Sequence, residues 1–111
     1  MRIFDTHTHI FLNEFDADRA DVVARAADAG VSRMMLPNVD VETIPLLKKM
    51  LADESDGRFV AAMGLHPTSV GEAYRDDLDV VYSELHAAGY RAVGEVGLDL
   101  YWDDTFIKQQ I

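Results

Sequence analysis

The sequence predicts an α/β fold of about four βα units whose strands run parallel. Three observations carry that reading. Short apolar runs alternate with stretches of helical periodicity at a spacing of roughly thirty residues. Turn and stop signals (Gly30, Pro37-Asn38, Asp56-Gly57 and Gly89) fall between them. The polar residues Asp5, His7, His9, Asn38, His66, Glu95 and Asp99 follow the ends of the predicted strands. In parallel α/β sheets those carboxyl ends are where active sites are built. Right-handed crossovers between four such units give either a small open sheet or half of an eight-stranded barrel.

The elements follow in order. The first strand is Arg2–Thr6, a short run of alternating character. A polar loop leads to a helix from about Asp18 to Ala29, with Val22, Val23, Ala26 and Ala27 as its apolar stripe and Gly30 as its stop. Ser32–Leu36 reads as a buried second strand ended by Pro37-Asn38. The second helix covers about Glu42 to Ala52, capped by Asp40 or Thr43, with Ile44, Leu47, Met50 and Leu51 on its apolar face. Pro45 falls in its first turn, where a missing N–H is tolerated. Arg58–Leu65 is the third strand. The third helix runs from about Asp76 to Ala88, with Leu78, Val81, Tyr82 and Leu85 at helical spacing. Its Asp76, Asp77 and Asp79 suit the positive end of the helix dipole and read as structural. Arg91–Val96 is the fourth strand, and Asp104–Ile111 the first turns of a fourth helix.

Composition narrows the function. The chain has 111 residues, 10 Lys+Arg against 20 Asp+Glu, a net charge of −10 and no cysteine. That length holds one domain, residues 1–111, with a single core. The absence of cysteine excludes a disulfide scaffold, a thiolate zinc site and a cysteine nucleophile. No apolar run reaches the ~20 residues that span a bilayer, and Met1–Asp5 lacks the apolar stretch of a signal peptide. A cytoplasmic protein without membrane partners is expected. The acidic balance counts against broad electrostatic binding of nucleic acid.

Three segments carry chemistry. His7-Thr8-His9 puts two imidazoles at i and i+2, on one side of an extended backbone, where they can grip one divalent cation; the bland alternative is two unrelated surface histidines. Gly94-Glu95-Val96-Gly97-Leu98-Asp99 places a carboxylate between two glycines after a strand. It can bridge two metal ions about 3.5–4 Å apart, or be a solvent-exposed strand end packed closely through its glycines. In Gly64-Leu65-His66-Pro67 the proline fixes an extended exit that can aim the imidazole over the sheet end. His66 then either holds a substrate phosphate or bonds to backbone. His86, beside the stripe of the third helix, reads as a surface residue. Asp104 reads as a cap, and Trp102 as a packing residue.

In order and spacing, Phe4-Asp5-Thr6-His7-Thr8-His9, Gly64-Leu65-His66-Pro67 and Gly94-Glu95-Val96-Gly97-Leu98-Asp99-Leu100-Tyr101 resemble the TatD-related deoxyribonucleases, with Phe106 and Gln109 similar to the start of the helix that follows. The resemblance covers essentially the whole chain. It implies the N-terminal half of a (β/α)8 TIM barrel of the amidohydrolase-like kind. It also implies a divalent-metal-dependent hydrolase of DNA phosphodiesters, typically an exonuclease. Carried over, His7 and His9 hold one metal ion, Glu95 bridges two, and His66 contacts the substrate phosphate. Glu95 and His66 are then the catalytic residues, and Asp99 has a supporting role. Magnesium or manganese is the expected ion, with zinc an alternative.

The departure from the family is that its later ligands, two histidines and an aspartate, have no counterpart here. The expectation is a partial domain cut short after strand four, ahead of a natural half-barrel completed by self-association or a partner, and inactive in isolation. Two other functions stay open: a metal-dependent hydrolase of a small phosphoester or amide, and a half-barrel that works only by assembly.

Overall fold

The computed structural model describes residues 1–53, 56–87 and 89–111. Four strands, β1 (Ile3–Asp5), β2 (Val31–Pro37), β3 (Phe59–Met63) and β4 (Ala92–Val93), form one parallel sheet in the order β1-β2-β3-β4. Between them lie α1 (Arg19–Asp28), α2 (Ile44–Asp53) and α3 (Tyr74–Ala87), with α4 (Ile107–Gln110) last. Single 3-10 turns at Asn13–Phe15 and Pro67–Ser69 sit in the loops after β1 and β3.

Strand order that follows chain order decides between the two architectures. Each right-handed crossover then places its helix on the same side of the sheet. A doubly wound sheet instead reverses at a switch point and takes helices on both faces. Here Met34 and Leu36 of β2 and Phe59, Ala61 and Met63 of β3 join Val23 of α1, Ile44, Leu47 and Met50 of α2 and Val81 of α3 in one core cluster. The strand residues alternate, so they belong to one face. All three helices pack on that face, which is the layout of half a (β/α)8 barrel.

Local signals act where the periodicity places them. Gly30 ends α1 with φ at 96°, a conformation natural only to glycine, and its N–H reaches the Ala27 carbonyl. Both expected caps of α2 act together: the Asp40 carboxylate accepts the Thr43 N–H at 2.9 Å, and the Thr43 hydroxyl oxygen accepts the Asp40 N–H at 3.1 Å.

Several expectations need correction. β4 is two residues long rather than Arg91–Val96, because the chain leaves the ladder. Gly94 N–H still bonds the Met63 carbonyl, but Glu95 N–H turns to the Asn38 carbonyl at the end of β2. α3 begins two residues early, at Tyr74, and its expected end at Ala88 lies outside the described residues. Its stripe is only partly covered: Val81 is buried, while Leu78 and Tyr82 are exposed around a cavity of about 520 Å³ shared with Val93, Val96 and Ile111. Ala27 is exposed. Asp104 does not cap α4, whose N-cap position is Phe106 with no side-chain hydrogen bond; the carboxylate engaged in the turn before it is that of Asp103. Two hydrogen bonds from Thr105 hold the Asp103 carboxyl below its usual range. Trp102 does not pack inside. It is 77% exposed and stands edge-on to Tyr101.

Candidate metal centre

The loop that follows β1 is fixed from three directions. The Asp5 carboxylate accepts the His7 N–H at 3.0 Å, an aspartate turn closed two residues on. Thr8 N–H bonds the Met35 carbonyl, tying the loop to β2. Arg19, at the start of α1, donates to the carbonyls of Ile10, Phe11 and Leu12 and to the Asp16 carboxylate. A planar guanidinium can make all of these at once. His7 and His9 therefore leave β1 on a loop with little freedom, and their rings meet edge-to-face.

Glu95 reaches the same place from the other end of the sheet. Its N–H is held by the Asn38 carbonyl, and its chain segment lies directly against Gly64. A Cβ at position 64 would stand 2.8 Å from the Glu95 carbonyl oxygen, so only glycine lets the 94–95 segment approach β3 this closely. Asn38 organises the junction. It is fully buried, donates to the Asp40 and Gly64 carbonyls, and accepts from the Thr43 hydroxyl.

The resulting geometry is compact. His7 Nε2 lies 2.9 Å from Glu95 Oε2, His9 Nε2 lies 3.0 Å from the same oxygen, and the two ring nitrogens are 3.1 Å apart. His9 Nδ1 is 2.9 Å from the Pro37 carbonyl, which can only accept. Nδ1 therefore carries the proton, and Nε2 of the neutral ring presents a lone pair. That lone pair faces a carboxylate oxygen, so two acceptors stand in contact. The His7 Nε2–H, or a cation in its place, satisfies them. Donors about 2.1 Å from a divalent ion and at right angles around it are about 3.0 Å apart, so the near-equilateral triangle fits one face of such an ion.

His66 completes the cluster differently. Its Nε2 lies 3.1 Å from Glu95 Oε1, on the far side of the carboxylate from His7 and His9. Its Nδ1 accepts the Thr68 N–H at 3.1 Å, so the backbone bond of the bland reading is present as well. Among the described residues His7, His9 and Glu95 form the group close enough to share an ion. Asp99 is not in it: its carboxylate accepts the Tyr101 N–H, and its backbone exchanges two hydrogen bonds with the Gln110 amide. His86 is an exposed residue of α3, as expected.

The sequence reading missed Arg19 and Thr68, and it noted Asn38 only as a polar residue at a strand end. A polar side chain directly after the apolar run Met34–Pro37 was the available signal for Asn38. For Thr68 the signal was the His-Pro-Thr-Ser run, which has the form of a capped turn. Nothing local marked Arg19.

The family described as TatD related DNase matches residues 4–111. The chain is 33% identical over 103 residues to the uncharacterized metal-dependent hydrolase YabD of Bacillus subtilis, an alignment covering 93% of this chain and 40% of that protein. It is 31% identical over 97 residues to the 3'-5' ssDNA/RNA exonuclease TatD of Dickeya dadantii, covering 87% of this chain and 36% of that protein. The crystal structure of YjjV, a TatD homologue from Escherichia coli, superposes with a TM-score of 0.82 at 33% identity, over 98% of this chain and 42% of that one. The chain thus spans about two-fifths of the length of the curated relatives it matches. No helix among the described residues is long and apolar enough to cross a membrane. With the ordered strand-end motifs, the half-barrel and the family match in agreement, this chain belongs to the TatD-related DNases.

Proposed function

We propose that residues 1–111 supply the first four βα units of a divalent-metal-dependent hydrolase that cleaves DNA phosphodiester bonds from a strand end. The observation that carries this reading is the triangle of His7 Nε2, His9 Nε2 and Glu95 Oε2, with the His9 tautomer set by the Pro37 carbonyl. The names of the relatives, metal-dependent hydrolase and ssDNA/RNA exonuclease, support the same chemistry.

His7, His9 and Glu95 would hold one ion. Phosphoryl chemistry favours magnesium or manganese as the ion, and the histidine donors leave zinc as the alternative. Glu95 Oε1 faces away from this triangle, 3.1 Å from His66 Nε2, and Glu95 would be the residue shared with a second ion. Bound divalent cations supply Lewis acidity to a phosphate oxygen and make a water acidic enough to attack phosphorus. His66 donates Nε2–H to a non-bridging phosphate oxygen and orients the phosphodiester. Asn38 and Gly64 hold Glu95 in place through the contacts described above.

The test is substitution in the full chain. Glu95→Ala abolishes metal-stimulated hydrolysis of single-stranded DNA, whereas His66→Ala raises KM and leaves metal binding intact. Near-normal metal-dependent turnover in Glu95→Ala overturns the reading.

One observation favours a second substrate class. Four of the ten Lys and Arg residues, Arg19, Lys48, Lys49 and Arg58, pair with carboxylates, in a chain of net charge −10. Duplex binding draws on free Lys and Arg. Turnover on a panel of small phosphoesters and amides, with none on single-stranded DNA, would replace the nuclease by a small-molecule hydrolase at the same centre.

A further inference from the structure

His9 and His66 both point an Nε2 at Glu95, yet their surroundings fix opposite proton positions. At His9 the partner of Nδ1 is a carbonyl, so Nδ1 keeps the proton. At His66 the partner of Nδ1 is the Thr68 backbone N–H, which can only donate. The ring acts as the N-cap of the Pro67–Ser69 turn. Moving the proton to Nδ1 would set two N–H groups against each other at 3.1 Å, and the amide cannot rotate away. The Thr68 hydroxyl stands 2.7 Å from the same nitrogen and adds a second donor.

We propose that Thr68 is a positioning residue that keeps neutral His66 as its Nε2–H tautomer, a hydrogen-bond donor to an anionic oxygen and not a ligand for the cation. In the structure that oxygen is Glu95 Oε1; in the reaction it is a non-bridging phosphate oxygen. The functional half of the inference rests on the reading of the site given above, and the tautomer does not. Two histidines beside one carboxylate thereby acquire different jobs, one offering a lone pair and the other a proton. Nothing else packed around the ring has to change for this division. It is set by which backbone group, carbonyl or amide, meets Nδ1.

The experiment is nitrogen-15 NMR of the histidine rings in the metal-free protein and after loading with cadmium-113, a diamagnetic probe whose coupling to directly bound nitrogen is visible. The expected result is an unprotonated Nδ1 and protonated Nε2 at His66 in both states, with coupling at His7 and His9 Nε2 and none at His66. A protonated Nδ1 at His66, or cadmium coupling to it, overturns the inference. If cadmium couples to no ring while His66 keeps the Nε2–H form, the metal-site reading fails and the tautomer assignment is upheld. Thr68 is exposed, so Thr68→Val removes the hydroxyl without disturbing the core. It is expected to shift the His66 ring resonances and raise KM for single-stranded DNA about fivefold at unchanged kcat, and Thr68→Ser is expected to restore both. Wild-type spectra and KM in Thr68→Val, or no recovery in Thr68→Ser, refute the role of the side chain.

Discussion

Replacing Gly64 by alanine tests whether the approach of the 94–95 segment to β3 positions Glu95. The added Cβ would stand 2.8 Å from both the Glu95 carbonyl oxygen and the Gly94 carbonyl carbon, and ordinary contact begins at 3.4 Å. These are backbone atoms, so no side chain can swing aside. The segment has to retreat by about 0.6 Å, which exceeds the tolerance of about 0.5 Å within which a functional constellation works. Glu95 then loses its 2.9 and 3.0 Å contacts with His7 and His9. Overpacking of this kind costs about 1–3 kcal/mol and lowers the Tm accordingly. Affinity for Mn2+ should fall at least about tenfold, as it does when groups that orient metal ligands are disturbed. Gly71→Ala is the control, since its added Cβ meets nothing within 4 Å and its φ is not positive. Circular dichroism melting and calorimetric titration with Mn2+ read both quantities. A Gly64→Ala variant with the Tm and Mn2+ affinity of the parent would refute the argument that this glycine sets the position of the carboxylate.

Other predictions follow from the same contacts. Asn38→Ala leaves the Gly64 carbonyl without its buried donor, while the Thr43 hydroxyl keeps the Asp40 carbonyl, and should cost about 1–3 kcal/mol in urea unfolding; an unchanged midpoint would count against Asn38 as the junction of three strand ends. Arg19→Lys keeps the charge but not the planar fork that reaches three carbonyls and a carboxylate. It should lower stability by about 1–2 kcal/mol and weaken metal binding through the loosened His7–His9 loop, and a variant indistinguishable from the parent would refute it. Burial and a hydrogen bond to Glu84 push the Tyr90 phenol from 10.0 up to about 12. The folded state thus favours the protonated phenol, and its contribution to stability is complete below pH 10 and lost as pH rises from 10 toward about 12. Unfolding midpoints across that range should fall less steeply in Tyr90→Phe than in the parent, and parallel profiles would disprove it.

What the sequence revealed and what it withheld divide along physical lines. The βα alternation, the helix faces and the stops at Gly30 and Pro37-Asn38 are local properties, written in periodicity and in the conformations that glycine and proline allow. The strand-end positions of His7, His9, His66 and Glu95 were legible for the same reason. The length of β4 was not, because Glu95 N–H leaves the ladder for a carbonyl 57 positions away in sequence, at Asn38. Nor was the exposure of Tyr82 and Trp102, since an apolar or aromatic residue is marked for burial by type alone while the surface that covers it is a tertiary matter. The resemblance to a family supplied the roles of the histidines. The tautomers that separate those roles came only from the atoms around each ring.

The dipeptide Pro37-Asn38 has a consequence for the order of events in folding. Its two carbonyls hold His9 from one side and Glu95 from the other, across sequence separations of 28 residues and 57 residues. The donor triangle therefore cannot exist in a nascent chain that has formed only neighbouring β-α-β units. It requires both long loops to have closed, the slow part of building a parallel sheet. Stopped-flow refolding monitored by far-ultraviolet dichroism and by Mn2+ uptake would separate the two events, and uptake as fast as the rise of helix signal would refute the sequence. On the proposed reading of the site, cation capture follows the closure of both long loops rather than seeding it.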